Sequence, residues 1–504
     1  MTLKKKTDLN ATQGLWTEEL IRETFRYSAD VQVLSVQLTA DRESTLILAY
    51  ADGLSDDRLL GEIVLPQLRL VWETEGPDGF CGKRVHGTLP LLPIDGGESA
   101  DALAEWLFQG DVLLLLPEAA ISSGEPPFLF RMSISQRPVR MPDESNTEIS
   151  IKGPRDGFVE DLITNVSLVR KRLRSPSLHY EAFTLGRRTK SKAALLYMGD
   201  IAPSAVIEEA RNRLRNIDMD GIFSIGQLEE QLADSKYSLL PTLDTTGRPD
   251  YIVQSLLAGR FAVILDGNPM VLIGPAGLSM LLKSPEDAYF NFYYISFARA
   301  IRFFSFFLSI LLPGIWVSLS AFHQDQIPFR LMATIVTARL GLPFSAQMEL
   351  FLLLVLLEIF REAGLRLPSA IGQTLTVIGG LIIGDASIRA GLVSPSVVVV
   401  GAITAVSGAT LVNQSLSAAV SVLRFCLFLL SAVLGMYGLL LGIILMVAYM
   451  SRLGSYGVPF LTPISPPVFR DMIQSFLRVP WDKMKKRPAF LRTSDTTKEG
   501  EEGS

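Results

Sequence analysis

Apolar residues crowd into one part of this chain of 504 residues. Before Arg302 the apolar runs are short and interrupted by charge, and none is long enough to cross a bilayer. From Arg302 to Met450 the balance reverses. A spanning helix needs roughly 20 mainly apolar residues, and residues 301–322, IRFFSFFLSILLPGIWVSLSAF, provide them. Residues 371–393, 396–416 and 418–450 pass the same test, the last being long enough for a tilted span or a tight hairpin. The pattern predicts about four spans and allows six. Residues 345–367 have an apolar centre only about half a span long, between Glu349 at one end and Glu358, Arg361 and Glu362 at the other. That layout predicts a re-entrant or interfacial helix.

The part before the spans repeats itself. Residues 20–38 (LIRETFRYSADVQVLSVQL) read as a helix, a polar turn and an alternating strand, and residues 168–185 (LVRKRLRSPSLHYEAFTL) repeat that order at an offset of about 147 residues. STLILAYADGLSDDRLLGEIVLPQL, from Ser44, matches KAALLYMGDIAPSAVIEEARNRL, from Lys192, each a strand leading through a Gly/Asp turn into an amphipathic helix. ALAEWLFQGDVLLLL and IVQSLLAGRFAVILDG each stop a helix at Gly110 or Gly259 and run into an apolar strand. The fold class expected is a duplicated α/β head of two similar small α/β subdomains, followed by an α-helical polytopic membrane domain. Its boundaries are 1–150, a linker 151–157 containing Gly153-Pro154-Arg155-Asp156-Gly157, 158–292, a membrane domain 293–452, and a tail 453–504 that is basic and then disordered. The duplication is open to two readings, a structural pairing of the halves or a ligand-binding cleft between them.

Composition fits this division, with 48% hydrophobic residues beside 20% charged ones. The start, MTLKKKTDLNATQGLW, is basic but lacks the apolar core of a signal peptide, so the head is expected to stay cytoplasmic. After the last span come Arg452, Arg470, Arg478, Lys483, Lys485, Lys486 and Arg487, and positive loops stay inside. Two inside ends require an even number of crossings. The basic tail suits a face toward anionic lipid. Cys81 in the head and Cys426 within a predicted span are not expected to pair, in keeping with a reducing compartment. A net charge of -5 without a basic, aromatic-interleaved stripe gives no reason to expect nucleic acid.

Enzyme signatures are missing. There is no G-x-x-x-x-G-K-[ST] loop, and no G-x-G-x-x-G follows a strand. His86, His179 and His323 are isolated from one another and from the cysteines, which excludes a zinc spacing. Acid pairs such as Asp56/Asp57 and Glu229/Glu230 read as solvated helix faces. No catalytic, cofactor-binding or metal-binding residue is assigned, and a non-enzymatic protein without cofactors is expected.

Ionisable groups inside spans cost about 2.5–3.5 kcal/mol each on insertion scales, so each one suggests a function. Asp385 and Arg389 stand one helical turn apart, and read as a self-neutralising pair or as part of an ion path. Arg424 is expected to snorkel to the cytoplasmic side. Thr404, Ser407, Asn413, Gln414 and Ser415 form a hydrophilic seam that either helix packing or a pore would explain. Glu349 or Glu358, repeated around an oligomer, would form carboxylate rings that favour cations. The alternative is an amphipathic helix lying on the membrane surface.

Several segments, in order, resemble the A-subunit family of spore germinant receptors, the GerA family. They are GPRDGFVEDLITNVSLVRKRLRSPSL, LGRRTKSKAALLYMGDIA, IDMDGI, SPEDAYF, REAGLRLPSAIGQTLTVIGGLIIGDA, AGLVSP and SRLGSYGVPFLTPISP. The resemblance covers about two thirds of the chain. Residues 1–150 match only loosely, with Gln109-Gly110-Asp111 standing where the family has an SGDT-like turn. Position 385, often Gln in the family, is Asp here. The resemblance implies a multi-pass protein of the spore inner membrane, with head and tail on the spore-core side, beside a permease-like B subunit and a lipoprotein C subunit. Such complexes sense amino acids, sugars or nucleosides, and the nutrient enters the account through the B subunit. The response is ion release followed by exit of dipicolinic acid, and the A subunit is implied to form a homo-oligomeric ring with an ion path. An accessory paralogue associated with dipicolinic acid transport is the alternative within the family, and the long duplicated head favours the receptor class. A secondary transporter is the rival from another class, weakened by the lack of an inverted repeat or paired broken helices. A scaffold that only recruits partners is the third reading.

Overall fold

The structure, a computed structural model, describes residues 16–38, 45–75, 90–94, 98–116, 129–135, 150–366, 384–480, 482 and 484–498. The chain divides into a head unit, Met1–Ala233, Thr245–Pro275 and Lys485–Ser504, and a helical unit, Asp234–Asp244 and Ala276–Met484.

Among the described residues the head unit holds two five-stranded sheets. The first contains β1 (Val31–Gln37), β2 (Thr45–Ala51), β3 (Leu92–Ile94), β4 (Asp111–Leu115) and β5 (Leu129–Ser133), in the order β1-β2-β4-β5-β3. The second contains β6 (Leu178–Leu185), β7 (Ser191–Met198), β8 (Asp244–Thr246), β9 (Phe261–Leu265) and β10 (Val271–Gly274), in the order β6-β7-β9-β10-β8. The strand order is the same in both. Pairing is antiparallel in β1–β2, β2–β4, β4–β5 and β3–β5, and again in β6–β7, β7–β9 and β9–β10.

Alternation decides which helices cover the first sheet. Val112 and Leu114 of β4 join Leu46 and Leu48 under Leu60, Val64 and Leu68, the last from α2 (Leu65–Glu75). Leu113 and Leu115 face the other way, against Ile21 of α1 (Glu18–Thr24) and Leu103 and Leu107 of α3 (Ala100–Leu107). The second half repeats one local device with the same dihedral. Gly110 lies between α3 and β4 with φ 94, and Gly259 lies between α7 (Pro249–Leu257) and β9 with φ 96. A left-handed residue is needed to stop the helix that abruptly, and glycine adopts it without a Cβ clash.

The two halves meet along β6. Tyr180 donates its backbone N–H to the Tyr27 carbonyl (2.8 Å) and accepts from Ala29 N–H (3.1 Å). Arg170, at the end of α4 (Leu162–Arg170), is completely buried. Its Nε and Nη2 donate to the two Asp30 carboxylate oxygens at 2.8 and 2.9 Å, Nη2 also reaches Ser28 Oγ at 3.2 Å, and the guanidinium stands 4.0 Å from the centre of the Phe108 ring. His179 stacks on Tyr27 with ring centres 4.7 Å apart. Burial, and then the charge of Arg170, hold its pKa at about 4 against the usual 6.5. The folded value lies below the unfolded one, so the head is expected to keep this stability above pH 6.5 and lose it as the pH falls toward 4. In His179→Asn the slope of stability against pH over that window should flatten, as read by urea midpoints at pH 7, 6, 5 and 4.

Over Thr493–Lys498 the structure departs from the disordered stretch expected at the end of the tail. Thr493 is buried, Ser494 N–H donates to the Ile201 carbonyl (2.9 Å), and Lys498 N–H donates to the Lys485 carbonyl (2.8 Å). Arg487 accounts for the order, because its guanidinium donates to the Leu257 carbonyl (2.9 Å) and to Asp495 (2.7 Å). The linear boundaries also missed that Asp234–Asp244 belongs to the helical unit.

The helical unit contains α8 (Phe292–Val317), α9 (Phe329–Ala338), α10 (Ala346–Arg366), α11 (Pro395–Ala409), α12 (Gln414–Arg452) and α13 (Phe469–Phe476). α8 continues through a π-helical turn, Ser318–Phe322. Among the described residues, two stretches are long and apolar enough to cross a membrane, Phe292–Phe322 and Gln414–Arg452. Most of the predicted span 371–393 lies outside the described residues. The predicted span 396–416 is not one helix. α11 stops at Ala409, and the Asn413 side chain accepts from Leu416 N–H (2.7 Å), capping the start of α12. Thr404 and Ser407 therefore lie in α11, while Gln414 and Ser415 open α12.

α12 is a hairpin rather than a tilted span. Gly435, with φ 62 and ψ -140, breaks it. A Cβ on Gly438 would meet the Leu430 carbonyl at 2.1 Å, and one on Gly442 would meet Leu427 at 2.6 Å, approaches that a straight helix rising 1.5 Å per residue cannot make. Both ends are met by one segment. Asn413 Nδ2 donates to Asp244 (2.7 Å), and Leu239 N–H donates to the Tyr449 hydroxyl (2.7 Å).

Candidate functional site

The sequence singled out four charged positions in the helical unit, and the structure treats them in three ways. Glu349, in the first turn of α10, is completely buried. It accepts from Arg339 Nε (3.2 Å) and from the Ser394 backbone N–H (3.0 Å). Arg339 follows α9 and Ser394 precedes α11, so one carboxylate ties three helices together. The same arginine lines a cavity of about 250 Å³, with Ser320, Gln324, Ile327 and Met332 among its other walls. The buried Ser318 and Ser320 hydroxyls have no hydrogen-bond partner among the described residues.

Glu358 sits further along α10 and serves two arginines. Its Oε2 accepts from Arg424 Nη2 at 2.8 Å, and its Oε1 accepts from Arg361. Arg361 also donates to Ser417 Oγ (3.3 Å), and Arg424 to Ser421 Oγ (3.2 Å). Arg424 is only 6% exposed, so it does not snorkel. Glu358 supplies its counter-charge inside the bundle, and burial without that partner would be costly. The Nε groups of Arg361 and Arg424 are buried without a partner among the described residues.

Asp385 and Arg389 pair with each other at 2.8 Å, with side chains 57% and 79% exposed. They lie on the helical turn 384–389, and no contact joins them to Glu349 or Glu358 among the described residues. An exposed i,i+4 pair contributes a few tenths of a kcal/mol in water.

α10 and α11 run side by side in the same direction. Glu349 meets Ser394 near their starts, Gly401 has no side chain where Leu353 crosses, and Leu350, Leu353, Leu354, Val397 and Val400 share one core. Sequence reading missed Arg339, whose partner is ten residues away across a turn, and gave Ser394 no role. Among the described residues no group of three His, Cys, Asp or Glu side chains could hold a metal ion. In Glu349→Ala the Ser394 N–H and the Arg339 guanidinium lose their acceptor. A loss of about 1–3 kcal/mol is expected, seen as a lower thermal midpoint in detergent, with Glu349→Gln retaining part of it.

Comparison with known proteins decides the family. The family described as Bacillus/Clostridium GerA spore germination protein matches residues 19–490. The chain belongs to the GerA family. This GerA-family chain is 39% identical to "Spore germination protein XA" of Bacillus anthracis over 96% of its own length and 97% of that protein's. It is 34% identical to "Spore germination protein KA" of Bacillus subtilis (strain 168), over 94% of its length and 86% of that protein's. Among solved structures, the N-terminal domain of the A subunit of the Bacillus megaterium spore germinant receptor GerK3 is 26% identical, covering 51% of this chain and 92% of that one, with a TM-score of 0.37.

Proposed function

We propose that this chain is the A subunit of a nutrient germinant receptor in the spore inner membrane, and that it triggers germination as part of an oligomeric ligand-gated ion channel. The observation that carries the reading is similarity to spore germination proteins along almost the whole of both chains. A permease-like B subunit and a lipoprotein C subunit are its partners, and the B subunit is the route by which nutrient reaches the complex.

An even number of crossings fits the helical unit, with α8 and the two limbs of α12 among them. The packing of Lys485–Lys498 within the head unit supports an even number, with head and tail together on the spore-core side as the proposed topology. Both carboxylates proposed for the ion path are neutralised by arginine here, Glu349 by Arg339 and Glu358 by Arg361 and Arg424. A cation can use them only after those pairs separate, so the present arrangement is the closed one. Nutrient binding must favour the open state differentially, and moving a population from 1:99 to 99:1 takes about 5.5 kcal/mol.

The channel part is tested by reconstituting the complex with Glu349→Gln or Glu358→Gln and measuring cation flux. In Glu358→Gln two arginines face one neutral side chain, and cation flux should fall several-fold. Unchanged flux and selectivity in both variants would remove these residues from the path.

A further inference from the structure

The cavity of about 250 Å³ beside Arg339 has a polar end and an apolar end. Ser320, Gln324 and Arg339 make the polar end. Ser320 lies on the π-helical turn that closes α8, is only 4% exposed, and its hydroxyl has no hydrogen-bond partner among the described residues. Turns of this kind frequently mark functional sites. Gln324 Nε2 donates to the Ser320 carbonyl at 2.8 Å and so holds the turn in place. Arg339 gives Nε to Glu349 at 3.2 Å, while its Nη1 and Nη2 make no hydrogen bond among the described residues. A guanidinium with its Nη end open, beside a free hydroxyl donor, suits a phosphate, whose oxygens accept two N–H bonds side by side. Among the described residues no acidic side chain lines the cavity, so nothing there would hold a cation.

The rest of the wall is apolar, formed by Ile327 and by Met332, Ile335 and Val336 of α9. α9 carries that surface outward. Its 10 residues rise about 15 Å, too little to cross a hydrocarbon core of about 30 Å. The Thr334 and Thr337 hydroxyls turn back onto the helix's own carbonyls, and Phe329 and Leu340 beside them are 84% and 75% exposed. A short helix with that outer face belongs in the membrane interface. The depth of the cavity agrees. Phe292–Phe322 has 31 residues and rises about 46 Å, so in crossing a bilayer of about 40–45 Å with its headgroups it brings the turn Ser318–Phe322 to headgroup level.

We propose that this cavity binds the headgroup of an anionic phospholipid. The phosphodiester accepts from the Arg339 Nη groups and the Ser320 hydroxyl, and the acyl chains leave over the apolar face of α9. The volume is slightly below that of sites enclosing a whole drug-sized ligand, which suits a headgroup whose tails remain outside. A soluble phosphate offers the same anion but leaves the apolar wall uncovered. Arg339 then bridges the lipid phosphate and Glu349, so anionic lipid strengthens the tie among α9, α10 and α11. The inference rests on the reading of Phe292–Phe322 as a membrane crossing, and not on a role in germination.

The test is native mass spectrometry of the full chain in detergent, titrated with dioleoyl phosphatidylglycerol, dioleoyl phosphatidylcholine and, as a soluble headgroup, glycerol 3-phosphate. Saturable binding of phosphatidylglycerol is expected, about fivefold or more tighter than that of phosphatidylcholine. Glycerol 3-phosphate should bind about tenfold or more weakly, because it buries no apolar surface. Val336→Trp fills the cavity from a half-exposed position, and Ser320→Ala removes a hydroxyl that has no partner among the described residues, so both should fold normally. Ser320→Ala should weaken phosphatidylglycerol binding about fivefold, the value of one hydrogen bond, and Val336→Trp should abolish its saturable part. Equal affinity for phosphatidylcholine or for glycerol 3-phosphate overturns the proposal, as does phosphatidylglycerol binding that both variants leave unchanged. Binding as expected, with normal germination of spores lacking the gene, upholds the lipid site and sinks the receptor reading. Loss of germination in those spores without saturable lipid binding does the reverse.

Discussion

Gly435→Val should abolish the folded helical unit, with loss of monodisperse protein from detergent extracts. At φ 62 and ψ -140 the backbone is in a region that side-chain-bearing residues scarcely enter, at a cost of about 1–3 kcal/mol. A Cβ would also lie 2.8 Å from Phe322 Cγ and 3.1 Å from its Cβ, which adds overpacking of about 1–3 kcal/mol. The turn cannot be made elsewhere in the hairpin. Gly438 and Gly442 pack against Leu430 and Leu427 of the opposite limb, so shifting the reversal by a residue would drive side chains into that seam. Gly457→Ala is the control, since Gly457 shares a positive φ of 78 but has no atom within 4 Å of an added Cβ. Its effect should be limited to backbone strain. Equal behaviour of the two variants would mean that the hairpin is not as tight as described.

The second large effect is expected where the two halves of the head join. Asp30→Ala leaves the guanidinium of Arg170, a residue with no solvent exposure, without its carboxylate. Removing one partner of a buried pair costs about 3–5 kcal/mol, so the urea midpoint should drop sharply and protease should cut the linker at 151–157. Arg170→Met with Asp30→Leu should recover much of that loss, because replacing both charges leaves neither stranded. Arg170→Met alone strands Asp30 and should resemble Asp30→Ala. If the double variant is as unstable as the sum of the singles, the pair contributes through packing around Phe108 and not through charge.

Much of the head was legible along the chain because its signals are local. The apolar runs at Val112–Leu116 and Phe261–Leu265 gave the central strands, and Gly110 and Gly259 marked the helix ends that precede them. Sheet order was not legible, since β3 pairs with β5 and not with its neighbours in sequence. In the helical unit the length of residues 418–450 allowed a hairpin but hydropathy could not choose it. Gly435 is one of several glycines in an apolar stretch, and only its dihedrals distinguish it. Asn413 read as part of a polar seam, although a cap next to Gln414 and Ser415 is an equally local signal. The candidate site was half visible. Glu349 and Glu358 stood out as charges flanking an apolar centre, but their partners Arg339, Ser394 and Arg424 lie at the ends of or within other helices and are joined only by folding.

The receptor reading is tested most directly in spores of a host deleted for this gene. Release of monovalent cations and of dipicolinic acid would be recorded from purified spores given amino acids, sugars and nucleosides separately. A germinant receptor subunit requires that the response to one nutrient class is lost and is restored by the intact gene. A normal cation response to every nutrient, with dipicolinic acid release merely slowed, would contradict it and assign the chain to the accessory branch of the family.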